Sequence, residues 1–198
     1  MKKLLFSLTC LSIVAASIDG CKKGDGDPFL SLRSRTSRMA GVWTVGSGTG
    51  TKTNSSGTVT TETYDGTTLT STSGSNATIK TISYKYTFEK DGKYKSETTS
   101  TEKIATISYT KVESESGTWN FTGGVGEIKN KSQLFMQTLT STTTTTPGGT
   151  TFVTYTGFDG PQMLYDLYEL KNKEVVVKQK GTESNPSSSF ESSWTWKQ

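Results

Sequence analysis

The sequence predicts an all-β chain of consecutive antiparallel strands, and three observations carry that expectation. Ile82-Ser83-Tyr84-Lys85-Tyr86-Thr87-Phe88-Glu89 alternates strictly between apolar or aromatic and polar side chains, as a strand with one buried face must. Asp91-Gly92 comes directly after it, a pair suited to a type I′ turn and so to a hairpin. No amphipathic segment is long enough to be the helix of a parallel crossover, so the strands form a meander.

Taken in chain order, Phe29, Leu32, Thr36 and Met39 fall at helical spacing and predict a short helix or 3₁₀ turn, with Arg33, Arg35 and Arg38 on a solvated face. Gly41-Val42-Trp43 opens a strand that runs to about Gly46. Residues 49–75 are nearly all Thr, Ser and Gly around a central Asp65-Gly66, which predicts a Thr/Ser-rich hairpin insertion that projects from the body or lies along an edge. Lys93–Thr101 continues from the Asp91-Gly92 turn. Ile104–Glu115 reads as one long strand with a bulge, because Ile107 and Tyr109 share one phase while Ile104 and Val112 share the other. Gly117–Phe121 is a short strand with Trp119 and Phe121 on one face. Strands over Gln133–Thr145, Thr150–Gly157, Met163–Leu170, Glu174–Lys180 and Ser189–Lys197 complete the set, the last placing Phe190, Trp194 and Trp196 on one face.

Composition limits the chemistry. Hydrophobic residues are only 30% of the 198, so four Trp, eight Tyr and eight Phe must supply burial that a thin aliphatic set does not. His is absent, which removes the commonest general base, Ser-His-Asp and Cys-His nucleophile systems and every His-containing metal site. The net charge is +4, with Lys spread beside Glu along the strands and no basic patch of the kind that binds nucleic acid. Asp25-Gly26-Asp27 lacks the further acids of a calcium loop. No metal, cofactor or nucleic acid is expected.

The N-terminus reads as a processing signal. Lys2 and Lys3 precede an apolar stretch, Leu4–Ala16, that is too short to span a bilayer core of about 30 Å. Ile18-Asp19-Gly20-Cys21 then resembles the lipobox read by bacterial lipoprotein signal peptidase. That resemblance implies a signal peptide over 1–20, an acylated Cys21 as mature N-terminus, and a polar tether over 21–28 leading to a domain over 29–198. Cys10 would leave with the peptide, so no thiol or disulfide would remain.

The ordered series Asp27–Arg35, Gly41-Val42-Trp43, Thr87–Tyr94 and Gly117-Thr118-Trp119, closed by a strand like Leu170–Lys180 and a Trp-rich terminal strand, resembles the lipocalin-like lipoproteins of Gram-negative bacteria. The resemblance implies an up-and-down, lipocalin-like β-barrel of roughly 8–10 strands with a short N-terminal helical turn. Gly-x-Trp after such a turn is similar to true lipocalins, in which that Trp closes one barrel end and an Arg of the last strand covers it. Trp43 is therefore the expected barrel-closing residue, with Lys197 or an N-terminal Arg in place of the missing Arg. A barrel of this size is either filled by its side chains or holds one small ligand. The expected interior is Trp43, Val45, Ile82, Tyr84, Tyr86, Phe88, Tyr109, Trp119, Phe121, Phe190, Trp194 and Trp196. Among these, Tyr84, Tyr86 and Tyr109 are the ligand-binding candidates, since a phenol inside a barrel needs a hydrogen-bond partner.

The expected function is non-catalytic binding of a small apolar or amphipathic molecule. Palmitate-type acylation at Cys21 would anchor the protein in the cell envelope, at the outer membrane, facing the periplasm or the surface. The alternative is a surface structural or interaction protein with a filled barrel. Glu113 and Glu115 share a strand face, but as acids two residues apart they are expected to be solvated and to have no catalytic partner.

Overall fold

The computed structural model describes residues 33–104, 106–123, 132–182 and 188–198. Cys10, Cys21, the tether and the beginning of the expected helical turn lie outside these residues. The described chain is almost entirely antiparallel β. A five-residue helix, α1 (Arg35–Met39), precedes β1 (Gly41–Thr53), β2 (Val59–Tyr64), β3 (Thr68–Ser73), β4 (Asn76–Phe88), β5 (Lys93–Ile104) and β6 (Ile107–Thr122). Then come β7 (Gln133–Thr146), β8 (Thr150–Thr154), β9 (Gln162–Leu170), β10 (Glu174–Thr182) and β11 (Ser189–Lys197).

Ten of these strands close into an up-and-down barrel in the order β1-β2-β3-β4-β5-β6-β7-β9-β10-β11, and β11 returns to β1. The barrel expected from the sequence is present. β8 stands outside the ring, paired to the upper half of β7. At the base, Gly41–Thr44 pair directly with Lys85–Phe88, so β1 and β4 are neighbours there. Higher up, β2 takes Gly48–Thr53 of β1 and β3 takes Asn76–Thr81 of β4. The ring therefore widens by two strands as it rises, from a width that side chains can fill to one that leaves room.

The Thr/Ser-rich stretch is thus an insertion of a different kind from the one expected. It neither projects nor lies on an edge: β2 and β3 are ring strands with a ladder on both sides. Tyr64 anchors them, buried, with its hydroxyl donating to the Ile82 carbonyl at 3.0 Å. A few large side chains suffice here because closure satisfies the backbone. Amides of Thr61 and Thr63 should accordingly exchange as slowly as those of Ser83 and Lys85, which native-state hydrogen exchange can check.

Two other expectations change. β1 extends to Thr53, well past Gly46, through a bulge between Val45 and Ser47. The phase break read as a bulge within Ile104–Glu115 is a hairpin turn: β5 ends at Ile104, β6 starts at Ile107, and the two residues pair. β6 then continues without interruption through Gly117–Phe121.

The base holds the core. Phe88 and Trp196 stack at 6.0 Å, Trp119 meets Phe88 edge-on at 5.4 Å, and Leu134, Met136, Leu170, Val175 and Val177 fill in between them. Trp43 is fully buried, and its Nε1–H donates to the Met39 carbonyl of α1 at 2.7 Å. Arg38, also buried, donates to the Leu170 carbonyl, and Arg35 lies 5.5 Å over the Phe121 ring. N-terminal arginines thus sit at the closed end, on the side of the helix. The solvated face that their spacing predicts is not where Arg35 and Arg38 lie. Fully exposed guanidinium groups would leave the carbonyl of Leu170 and the face of Phe121 without these contacts.

Candidate functional site

Above the aromatic base the lumen opens into a cavity of about 240 Å³. Its walls are Tyr84 and Tyr86 from β4, Tyr165 from β9, Trp194 and Trp196 from β11, Val45 from β1, Gln179 from β10 and Ser192 from β11. The period of two explains each contribution: residues 84 and 86, 163, 165 and 167, and 194 and 196 are inward steps of their strands. Room for Trp194 depends on Gly48, where any Cβ would overlap its six-membered ring. Gln179 is paired with Ser192 and is the first β10 residue past the last pairing with β9 at Lys178. The cavity therefore reaches the wall where the β9 ladder stops.

The rings hold one another in place. Tyr86 stacks on Trp196 at 4.7 Å, Tyr165 meets Trp196 edge-on at 5.7 Å, and Tyr84 contacts Tyr64 at 5.3 Å and Trp194 at 6.1 Å. Offset and edge-on pairs of this kind add to simple burial and limit rotamer freedom. The cavity is pre-formed.

Its electrostatics come from burial. Desolvation pushes the hydroxyls of Tyr84 and Tyr165 up to about 12, and that of Tyr86 well above its ordinary value. Tyr94, next along the wall, is also pushed to about 12 by burial, opposed by its hydrogen bond to Thr138 at 2.7 Å. All four stay neutral phenols far into alkaline pH, able to donate hydrogen bonds.

A carboxylate bears on three of them, Tyr86, Tyr94 and Tyr165. Glu115 of β6 is half-buried, 3.4 Å from the hydroxyls of Ser96 and Thr138. Burial raises its pKa against those two hydrogen bonds, and Glu113 adds to the rise. The expectation that Glu113 and Glu115 are both solvated therefore fails for Glu115. It shares the inward phase of Gly117 and Trp119, whereas Glu113, further up β6, pairs with Lys111 at 2.7 Å at a more exposed level. That phase was the signal in the sequence.

This placement gives a test. The folded state holds the Glu115 proton to higher pH than the unfolded chain, so stability falls as pH rises from about 4.5 through the raised value, and the penalty is complete above it. Glu115→Gln keeps the shape and hydrogen bonds without the charge. It should melt higher than wild type at pH 7, with the difference closing near pH 4, as read by thermal denaturation across that range.

Of the ligand candidates, the structure brings Tyr84 and Tyr86 together in the cavity wall. Tyr109 is not with them. It lies near the start of β6, opposite Glu102, on the inward phase but too far along the strand to reach the cavity. Tyr165 takes that place, and Tyr94 flanks it. Both were legible in the alternation of Lys93-Tyr94-Lys95 and Met163-Leu164-Tyr165-Asp166-Leu167, as inward residues between outward ones. Phe190 also lies outside the core cluster. Among the described residues no group of three or more Cys, Asp and Glu side chains is placed to hold a metal ion. Comparison with family models, characterised proteins and solved structures found no match to this chain.

Proposed function

We propose that this chain is a lipocalin-like envelope lipoprotein of a Gram-negative bacterium, acylated at Cys21, whose barrel binds one small apolar or amphipathic molecule and does no chemistry. The observation that carries the binding half is the aromatic cavity of about 240 Å³ above a packed base. Concave, largely apolar sites with a few polar groups are where small molecules bind, and here Gln179, Ser192 and the phenols are those groups. The anchoring half is supported by Lys2-Lys3, the apolar Leu4–Ala16 and Ile18-Asp19-Gly20-Cys21. Two or three acyl chains, at about 0.8 kcal/mol per buried CH₂, would hold the protein stably at a membrane.

Each half has its own test. Cells making the protein should incorporate labelled palmitate, and Cys21→Ala should abolish the label; persistent labelling contradicts the anchor. Thermal melting against a panel of lipids, steroids and hydrophobic metabolites should find compounds that raise the midpoint. Uniform silence would favour the second reading, a surface interaction protein. One feature supports that alternative. Phe152 on β8 and Phe158 just after it are 64% and 76% exposed, beside a strand that pairs with β7 alone among the described strands.

A further inference from the structure

What distinguishes the lumen is the kind of side chain that lines it. Of the eight residues that line the cavity, five are Tyr or Trp, and Val45 is the aliphatic one. The five rings come from β4, β9 and β11 and so surround the space from different sides. Among the described residues that line it, none is a Lys or Arg, although the chain as a whole is basic. Among the described residues no carboxylate lines the cavity, but acids outside the lining bear on its phenols: Glu62 of β2 and Glu113, itself paired with Lys111, on Tyr84, and Glu115 on Tyr86 and Tyr165.

We propose that the ligand of this barrel is an organic cation, a small molecule whose quaternary or tertiary ammonium head sits among Tyr84, Tyr86, Tyr165, Trp194 and Trp196. The inference rests on the reading of the lumen as a ligand site and names the chemistry of the ligand. A cation is drawn to the electron-rich faces of Trp and Tyr, and a cage of such rings recognises alkylated ammonium groups because it needs no hydrogen bond from them. Among the described residues of this lining an anion would find no Lys or Arg, only the neutral donors of the phenols, Gln179 and Ser192. A neutral hydrocarbon could fill the space, but it would do nothing to offset the half-buried charge of Glu115. A cation among the rings would offset part of that charge, which bears on Tyr86 and Tyr165 of the same cage. Gln179 and Ser192 are placed to bond a hydroxyl or carbonyl on the remainder of the molecule.

The test uses a matched pair of probes on the full chain in detergent, choline and its neutral carbon isostere 3,3-dimethylbutan-1-ol, titrated by calorimetry. Choline should bind at least about tenfold tighter than the alcohol, a gap of about 1.4 kcal/mol. Glu115→Gln should weaken choline several-fold and leave the alcohol unchanged. Tyr84→Leu, checked for folding by circular dichroism, should weaken choline by removing a ring. Equal affinity for the two probes would overturn the cation inference and leave the lumen as a ligand site. Failure of choline to bind while hydrophobic compounds raise the melting midpoint would also overturn it. Silence of both probes together with the whole thermal panel would remove the lumen reading as well.

Discussion

Trp43→Ala should destabilise the protein by about 3–5 kcal/mol, the usual cost of truncating a fully buried large side chain. Trp43 combines complete burial with a specific bond, its indole N–H reaching the Met39 carbonyl at 2.7 Å. The variant loses the packing, opens a void where β1 pairs with β4, and frees α1 from its tie to the first strand. Domains of this kind carry about 5–15 kcal/mol in total, so the mutant should be near its unfolding threshold at room temperature. Chemical denaturation reads the change as a fall in midpoint. A midpoint within a few per cent of wild type would mean that this end of the barrel is not closed by Trp43.

Trp196→Ala should cost a similar amount, about 3–5 kcal/mol, and should reach further into function. Trp196 is 2% exposed and contacts three rings, stacking on Tyr86 and Phe88 and meeting Tyr165 edge-on. It is the floor of the cavity and the roof of the core at once. Truncating it should lower the denaturation midpoint and also abolish any ligand-induced rise in melting temperature, even with a stabilising osmolyte restoring the fold. Ile79→Ala, on the outer face of β4 with 69% exposure, supplies the control and should change stability by no more than about 0.5 kcal/mol. Loss of stability with ligand response retained would separate Trp196 from the site.

Much of the barrel was legible because its signal is local. Alternation in Ile82–Glu89 and Ser189–Lys197 identifies both the strands and their inward faces, and Trp43, Val45, Ile82, Phe88, Trp119 and Trp196 are indeed buried. The illegible parts depend on partners distant in sequence. Nothing within Val59–Ser73 says that β2 and β3 enter the ring, since the cause is the divergence of β1 and β4 above Thr44 and Lys85. Tyr109 and Tyr165 illustrate the same limit at the site. Phase tells which side of a strand a residue faces, but height in the barrel depends on register with neighbouring strands, and register is set by the turns and bulges around the ring. The extra residue at Leu139 is one example: Ser116 pairs with Thr140 and Gly117 with Thr138, which reverses the phase of β7 between its base and its top. Gly117 fits there because any Cβ would strike the Gln137 carbonyl.

Glu115 shows what the sequence held without making it readable. Acids spaced by two along a strand are usually solvated, and that tendency outweighs the phase shared with Trp119 when only the sequence is in view. The structure reverses the weighting by closing the sheet, so that the inward phase of β6 faces Ser96, Thr138 and the tyrosines. A desolvated carboxylate beside an aromatic cavity is a cost that packing alone does not require.

Fluorine NMR of protein made with 5-fluorotryptophan tests the central claim, that the lumen is a ligand site, most directly. The four tryptophans report from two levels: Trp43 and Trp119 lie in the packed base, while Trp194 and Trp196 line the cavity. A compound that raises the melting midpoint should shift the Trp194 and Trp196 resonances in a saturable way and leave Trp43 and Trp119 nearly unchanged. Stabilising compounds that leave Trp194 and Trp196 unmoved would place their binding elsewhere on the protein and contradict a ligand site in the barrel.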